Sequence, residues 1–131
     1  MTPEEKLWEL IQRLHKRSRE GSVAWEVAAG RREMYQVSFP NTTVRITEET
    51  GEADEPDYVI LVLNEEGRIV ERASDVQLRN SVEALQDIPG PSVTFTVMRE
   101  LFQMARRKAL GSEKVLDDLL STLGDEPEDR P

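Results

Sequence analysis

Between residues 22 and 73 the chain carries five short segments of strand length separated by turn-forming residues, and in the first three of them apolar and polar residues alternate. Alternation with a period of two is typical of half-buried β-strands. The segments follow one another without an intervening helical pattern, so they predict an antiparallel meander. Their apolar positions are Val23, Trp25 and Val27, then Tyr35, Val37 and Phe39, then Val44 and Ile46, then residues 58–63, and finally Ile69 and Val70.

An amphipathic helix is predicted before these strands. Thr2 and Glu5 have the spacing of a capping box, and Pro3 stands at the first helical position. Gly21 is the predicted end of this helix. The apolar side is formed by residues at helical spacing, namely Leu7, Leu10, Ile11 and Leu14.

Helices are also predicted after the strands. A weak helical pattern near 75–86 ends before Pro89-Gly90-Pro91, and Ser92 is placed to cap a helix carrying Phe95, Met98, Leu101, Phe102 and Ala105. Gly111 should break that helix, and Ser112 should cap a last, leucine-rich one. The predicted fold class is therefore α+β, with a five-stranded antiparallel meander sheet flanked by an N-terminal helix and C-terminal helices on one face.

The charge of the chain is concentrated in two segments. Six acidic residues in 48–57 and the residues after position 123 account for the whole net charge of −9. We expect one α+β domain over residues 1–123, a solvated mobile loop over 48–57 and a disordered acidic tail over 124–131. A field of this sign opposes binding to nucleic acid and to anionic membranes.

Composition also bears on location and cofactors. The chain has no cysteine, so it forms neither a disulfide nor a zinc–thiolate site. The N-terminus is acidic and lacks the apolar segment of a signal peptide, and the longest apolar run, 58–63, has the length of a strand. The 48–57 acids lack the spacing of a calcium loop. We expect a cytoplasmic protein without a metal or other cofactor.

Few residues are candidates for catalysis. His15, the only histidine, lies on the first helix, where a structural role is the simpler interpretation. Glu26 is the one acid in an otherwise apolar strand, and an outward-facing position explains it. Two basic clusters are better explained as solvated helix ends than as a nucleic-acid site; they are Lys16, Arg17 and Arg19, which could meet Arg31 and Arg32, and Arg106, Arg107 and Lys108.

Two apolar surfaces are candidates for binding a partner. The strand over 58–63 is apolar on both faces, so it is either covered twice or faces a partner. The possible partner-binding residues are Trp8, which lies beside the main apolar stripe of the first helix, and the stripe of the last helix, Leu116, Leu119, Leu120 and Leu123.

Several of these landmarks together resemble small uncharacterised bacterial α+β proteins. The resemblance is carried by Gly21-Ser22-Val23-Ala24-Trp25, Tyr35, Tyr58, Asn64-Glu65-Glu66-Gly67-Arg68-Ile69-Val70-Glu71, Leu101 and Ala105-Arg106. It implies a bacterial α+β domain and transfers no catalytic residue. The chain is also similar in size and acidity to type III secretion chaperones. These usually have a helix between the third and fourth strands, where this chain has the 48–57 segment, and that departure counts against the chaperone interpretation.

The sequence favours a non-enzymatic bacterial protein-interaction or adaptor domain, with another protein or a second copy of the chain as its partner. Two alternatives stay open. One is a secretion-type chaperone or immunity partner that binds one cognate protein. The other is a small carboxylate-based hydrolase or nucleotide-binding enzyme, which would show a deep pocket converging on Glu26 or His15.

Overall fold

A computed structural model of the protein describes residues 1–30, 33–51, 54–82 and 92–124. It confirms the α+β fold class, with an N-terminal helix, an open five-stranded antiparallel sheet and C-terminal helices. The elements are α1 (Pro3–Arg19), β1 (Glu26–Val27), β2 (Met34–Ser38), β3 (Thr43–Thr50), β4 (Pro56–Leu63), β5 (Ile69–Ser74), α2 (Asp75–Val82), α3 (Val93–Ala109) and α4 (Ser112–Leu123).

The strands form a meander in the order β1-β2-β3-β4-β5, with antiparallel neighbours throughout. The β3–β4 hairpin is longer than predicted, because Glu48, Glu49 and Thr50 pair with Tyr58, Asp57 and Pro56. The expectation of a solvated loop over the whole of 48–57 is therefore wrong. The pairing of Glu48 with Tyr58 and of Thr50 with Pro56 extends both strands into the acidic segment.

Both edge strands are irregular. The first predicted strand is reduced to Glu26–Val27, since Val23 and Trp25 precede the paired residues. In β5 the partners of Val62 and Leu63 are Glu71 and Ile69, so Val70 is an extra residue that forms a bulge. Neither edge therefore presents a long regular strand.

The main core lies between the inner face of the sheet and the helices. Trp25, an apolar position of the first predicted strand, is buried there together with residues of α1, and its Nε1 donates a 2.8 Å hydrogen bond to Ser18 Oγ. Phe39, predicted to face inward, follows the end of β2 and is 44% exposed. The same core takes in α2 and α3 and includes Ile11, Leu14, Tyr35, Ile46, Tyr58, Ile60, Leu78, Met98, Leu101 and Phe102.

The opposite, outer face of the sheet holds a second, smaller cluster. It is formed by Val59, Leu61 and Leu63 of β4, with Met34 packed against them. No described helical residue belongs to this cluster, yet the three β4 side chains are only 1–7% exposed. Leu61 lies between the long side chains of Arg45 in β3 and Arg72 in β5 in the register, whose stems can cover it.

The helix termini test the predicted caps. Thr2 and Glu5 form the predicted capping box, and Ser92 Oγ accepts from the Phe95 backbone N–H. The prediction that Ser112 caps the last helix is wrong by one residue, because Gly111 holds the cap position with φ +66°. α2 begins with a reciprocal pair of hydrogen bonds between Ser74 and Gln77, a capping box that the sequence also contains. The predictions for residues 83–91 and for the tail beyond residue 124 lie outside the described residues.

Candidate functional site

The most exposed apolar surface of the described chain lies on α4. One side of this helix carries aliphatic side chains at helical spacing, which we call the α4 stripe: Val115, Leu116, Leu119, Leu120 and Leu123. Their exposed fractions lie between 48% and 80%, and no residue of α4 is buried. Four of the five are predicted partner-binding residues, so the structure places that set together on one accessible surface.

Among the described elements α4 packs mainly against α3, and one side of α4 faces the rest of the domain. That side faces a groove of about 540 Å³, the α4 groove, which α4 lines with Glu113, Leu116, Asp117 and Leu120. The other members of the stripe, Val115, Leu119 and Leu123, line no part of the groove. Only an edge of the stripe is therefore directed toward the rest of the domain.

The opposite wall of the α4 groove is basic. It is formed by the C-terminal ends of α1 and α3, including Arg19, Arg107 and Lys108, with Met104 between them. The two helices run in parallel, so their ends meet and bring together cations that the sequence separates into two clusters. Among the described residues no ion pair within 4.0 Å joins this wall to Glu113 or Asp117. The groove thus has walls of opposite charge that stand apart.

Trp8, the remaining predicted partner-binding residue, lies elsewhere. It is on the N-terminal half of α1, partly buried and packed against the main core. It does not line the α4 groove. The structure therefore supports the interpretation of Trp8 as a widening of the α1 apolar stripe and does not join it to the α4 stripe.

The predicted acid–base candidates lie apart from one another. His15 is mostly buried and its Nε2 is 2.8 Å from Oε1 of Glu100, as expected for a structural histidine at the flank of a helix. Glu26 is exposed on the outer face, where its carboxylate accepts a 3.1 Å hydrogen bond from Gln36. Gln36 in turn accepts from Arg45, so these three residues form a ladder across the first three strands.

Sequence reasoning did not single out Asp75, the one buried acid of the described chain. Its Oδ1 accepts a 2.9 Å hydrogen bond from the Tyr58 backbone N–H, and it borders a cleft of about 430 Å³ with Glu55, Asp57 and Arg79. Burial raises the pKa of the Asp75 carboxyl above its ordinary value. The Ser-x-x-Gln capping box at the start of α2 is the sequence signal that would have located it. In the structure, the hydrogen bond between Asp75 and Tyr58 links α2 to β4.

The described ranges, residues 1–30, 33–51, 54–82 and 92–124, lack two further features. Within them, no group of three or more histidine, aspartate or glutamate side chains is arranged to hold a metal ion. No helix in those ranges has both the length and the apolar character needed to cross a membrane.

Comparison of the chain with protein-family models, with curated proteins and with solved structures gave no match.

Proposed function

We propose that this chain is a non-enzymatic protein-interaction domain whose binding surface is the α4 stripe. One observation carries the proposal: five aliphatic side chains, each about half exposed or more, form one continuous strip on a single helix. Continuous apolar patches of this kind on a soluble domain mark sites of association. A 12-residue helix is also marginal by itself and gains stability from a partner.

The alternative apolar surface supports this choice by contrast. The outer face of β4 is as apolar in sequence as α4, but Val59, Leu61 and Leu63 are already shielded by neighbouring strands. Burial of those residues against a partner would remove little further apolar surface from water. The α4 stripe offers much more, so a partner gains most by binding there.

The non-enzymatic part of the proposal is supported by the placement of the titratable side chains. His15, Glu26 and Asp75 each have a hydrogen-bonded partner, and no described cavity brings two of them together. Catalysis by acid and base needs such groups to converge on one substrate position. Among the described residues, the α4 stripe is the largest group of exposed apolar side chains on one element.

We place the domain in the bacterial cytoplasm, with a second copy of itself as its first partner. The cysteine-free composition supports a reducing setting such as the cytoplasm. Symmetric dimers are the commonest assemblies of soluble chains, which supports the choice of partner. A chaperone or immunity protein would use the same stripe for one cognate protein, and the direct β3–β4 hairpin counts against the secretion-chaperone alternative.

Photo-crosslinking in expressing cells tests the proposal. A benzophenone amino acid replaces Leu119 in one variant and Ser121, on the polar side of α4, in a matched control. We expect a discrete protein adduct from position 119, none from position 121, and loss of the adduct when Leu123→Glu is added. Circular dichroism checks that each variant is folded. Absence of an adduct at position 119 in a folded protein would contradict the proposal.

A further inference from the structure

The apolar side of α3 continues in phase through α4, although the two helices are separate. Counting from Met98, residues at alternating steps of four and three are Phe102, Ala105, Ala109, Ser112, Leu116, Leu119 and Leu123. Met98, Phe102 and Ala105 are buried in the main core, whereas the three leucines belong to the α4 stripe. A 4–3 repeat maintained over this length is the pattern of one long helix with a single packing seam.

One residue accounts for the interruption. Leu110, the cap of α3, has φ −88° and ψ −1°, within reach of helical geometry, whereas Gly111 has φ +66° and ψ 34°. No heavy atom outside its chain neighbours lies within 4 Å of the Cβ position at Gly111, so a side chain there meets no steric obstacle and is disfavoured only by the left-handed backbone angles. A glycine inside a helix is only mildly unfavourable. A change of the Gly111 backbone angles to helical values would therefore join α3 and α4 into one helix.

Joining the two helices has a definite geometric result. At 1.5 Å per residue, Leu120 would lie roughly 24 Å from Met104 in a continuous helix. In the structure both residues line the α4 groove. A continuous helix therefore removes α4 from its own groove, and the basic wall with Arg19 and Arg107 loses the acidic side chains Glu113 and Asp117 that face it.

The geometry points to an exchanged dimer, in which α3 and α4 join into one helix and α4 of each copy occupies the α4 groove of the other. This inference rests on the proposed function. The second copy is the occupant because its α4 brings the same leucines and the same acids that the basic wall already faces. Exchange of an identical element makes the contact reciprocal, as two-fold symmetry requires.

Variants at position 111 distinguish the state in which α3 and α4 form one helix from the state in which Gly111 separates them. Alanine is unfavourable in the left-handed region and favourable in a helix, so Gly111→Ala should lower the dimer dissociation constant about tenfold or more. Asparagine tolerates the left-handed region, so Gly111→Asn should leave the dimer dissociation constant close to that of the wild type. Sedimentation equilibrium over a concentration series measures both. Unchanged or weaker association of Gly111→Ala would contradict the inference.

Crosslinking between different chains tests exchange directly, and the cysteine-free sequence makes each introduced thiol unique. A full-length Arg19→Cys chain is refolded together with an Asp117→Cys chain and treated with a short bismaleimide. Exchange places these two groove residues from different chains side by side, so a mixed covalent dimer is expected. Lys114→Cys, whose side chain does not line the groove, replaces Asp117→Cys in the matched control.

The outcomes distinguish the two proposals. A mixed dimer with Asp117→Cys but not with Lys114→Cys supports exchange, even if Gly111→Ala fails to fold. A dimer that forms without this mixed product overturns exchange and leaves the α4 stripe as the interaction surface. Adducts at position 119 with another protein, together with a monomeric purified chain, overturn the choice of a second copy while the proposed function stands.

Discussion

The outer face of β4 and the α4 stripe carry the same kinds of aliphatic side chain, and no helix or strand among the described residues forms a further layer over either of them. The β4 residues Val59, Leu61 and Leu63 are nevertheless 1–7% exposed, whereas the α4 residues are 48–80% exposed. The difference lies in their neighbours. A strand within a sheet has side chains on both sides at about 5 Å, whose stems can cover it. A surface helix such as α4 has no flanking side chains on its solvent-facing side other than those of its own turns.

The largest expected effect compares one leucine from each surface. Leu61→Ala should lower the free energy of unfolding by about 2–5 kcal/mol, as for other buried leucines. Leu119→Ala should lower it by less than about 0.5 kcal/mol, because that side chain is already in water. Urea unfolding of dilute monomer measures both. Equal losses would show that α4 is packed within the chain, and the contrast between the surfaces would then be wrong.

A smaller effect tests the shielding of Leu61. Arg72 is its cross-strand neighbour and also holds Glu49 in a 2.9 Å ion pair. Arg72→Ala removes the stem and should cost about 1 kcal/mol of stability, whereas Arg72→Met keeps an apolar stem and should cost close to zero. If both variants lose the same amount, the ion pair and not the stem protects the outer face.

The smallest expected effect concerns the N-terminal end of β4, where the Asp75 side chain accepts a hydrogen bond from the Tyr58 backbone N–H. Because burial raises the pKa of Asp75, the folded state holds this proton more tightly than the unfolded state. Its contribution to stability therefore falls as pH rises from the ordinary pKa through the raised one. Asp75→Asn keeps the acceptor oxygen without ionising. Its melting temperature should match the wild type at pH 3 and exceed it at pH 7; a variant that melts lower at pH 7 would indicate that the charge stabilises the fold.

Local patterns in the sequence were sufficient for most of the fold. The capping box at Thr2, the cap at Ser92 and the alternation around Tyr35 and Ile46 each depend on residues close together in the chain. The extension of β3 into Glu48–Thr50 was missed because it depends on pairing with β4, which residue composition does not reveal. The offset at Gly111 arose because a glycine in the left-handed region can end one helix and begin the next.

The candidate site was predictable only in part. The stripe of Leu116, Leu119, Leu120 and Leu123 is visible from helical spacing, but spacing does not distinguish a stripe packed on its own domain from an exposed one. The basic wall of the α4 groove was not predicted, because Arg19 and Arg107 are brought together only by the parallel packing of α1 and α3. Tertiary contacts of this kind leave no short-range signal.

The irregular edges of the sheet limit how copies of this chain can assemble. A free edge strand is a template for unlimited stacking of further chains, and proteins commonly disable it by shortening or bulging the strand. Here β1 has two residues, and β5 carries the Val70 bulge next to the charged pair Glu71 and Arg72. Growth by strand addition, the route to fibrils, is thereby blocked at both ends. The proposed association through α4 with two-fold symmetry would close on itself after two chains, so it would use the exposed apolar surface without open-ended aggregation.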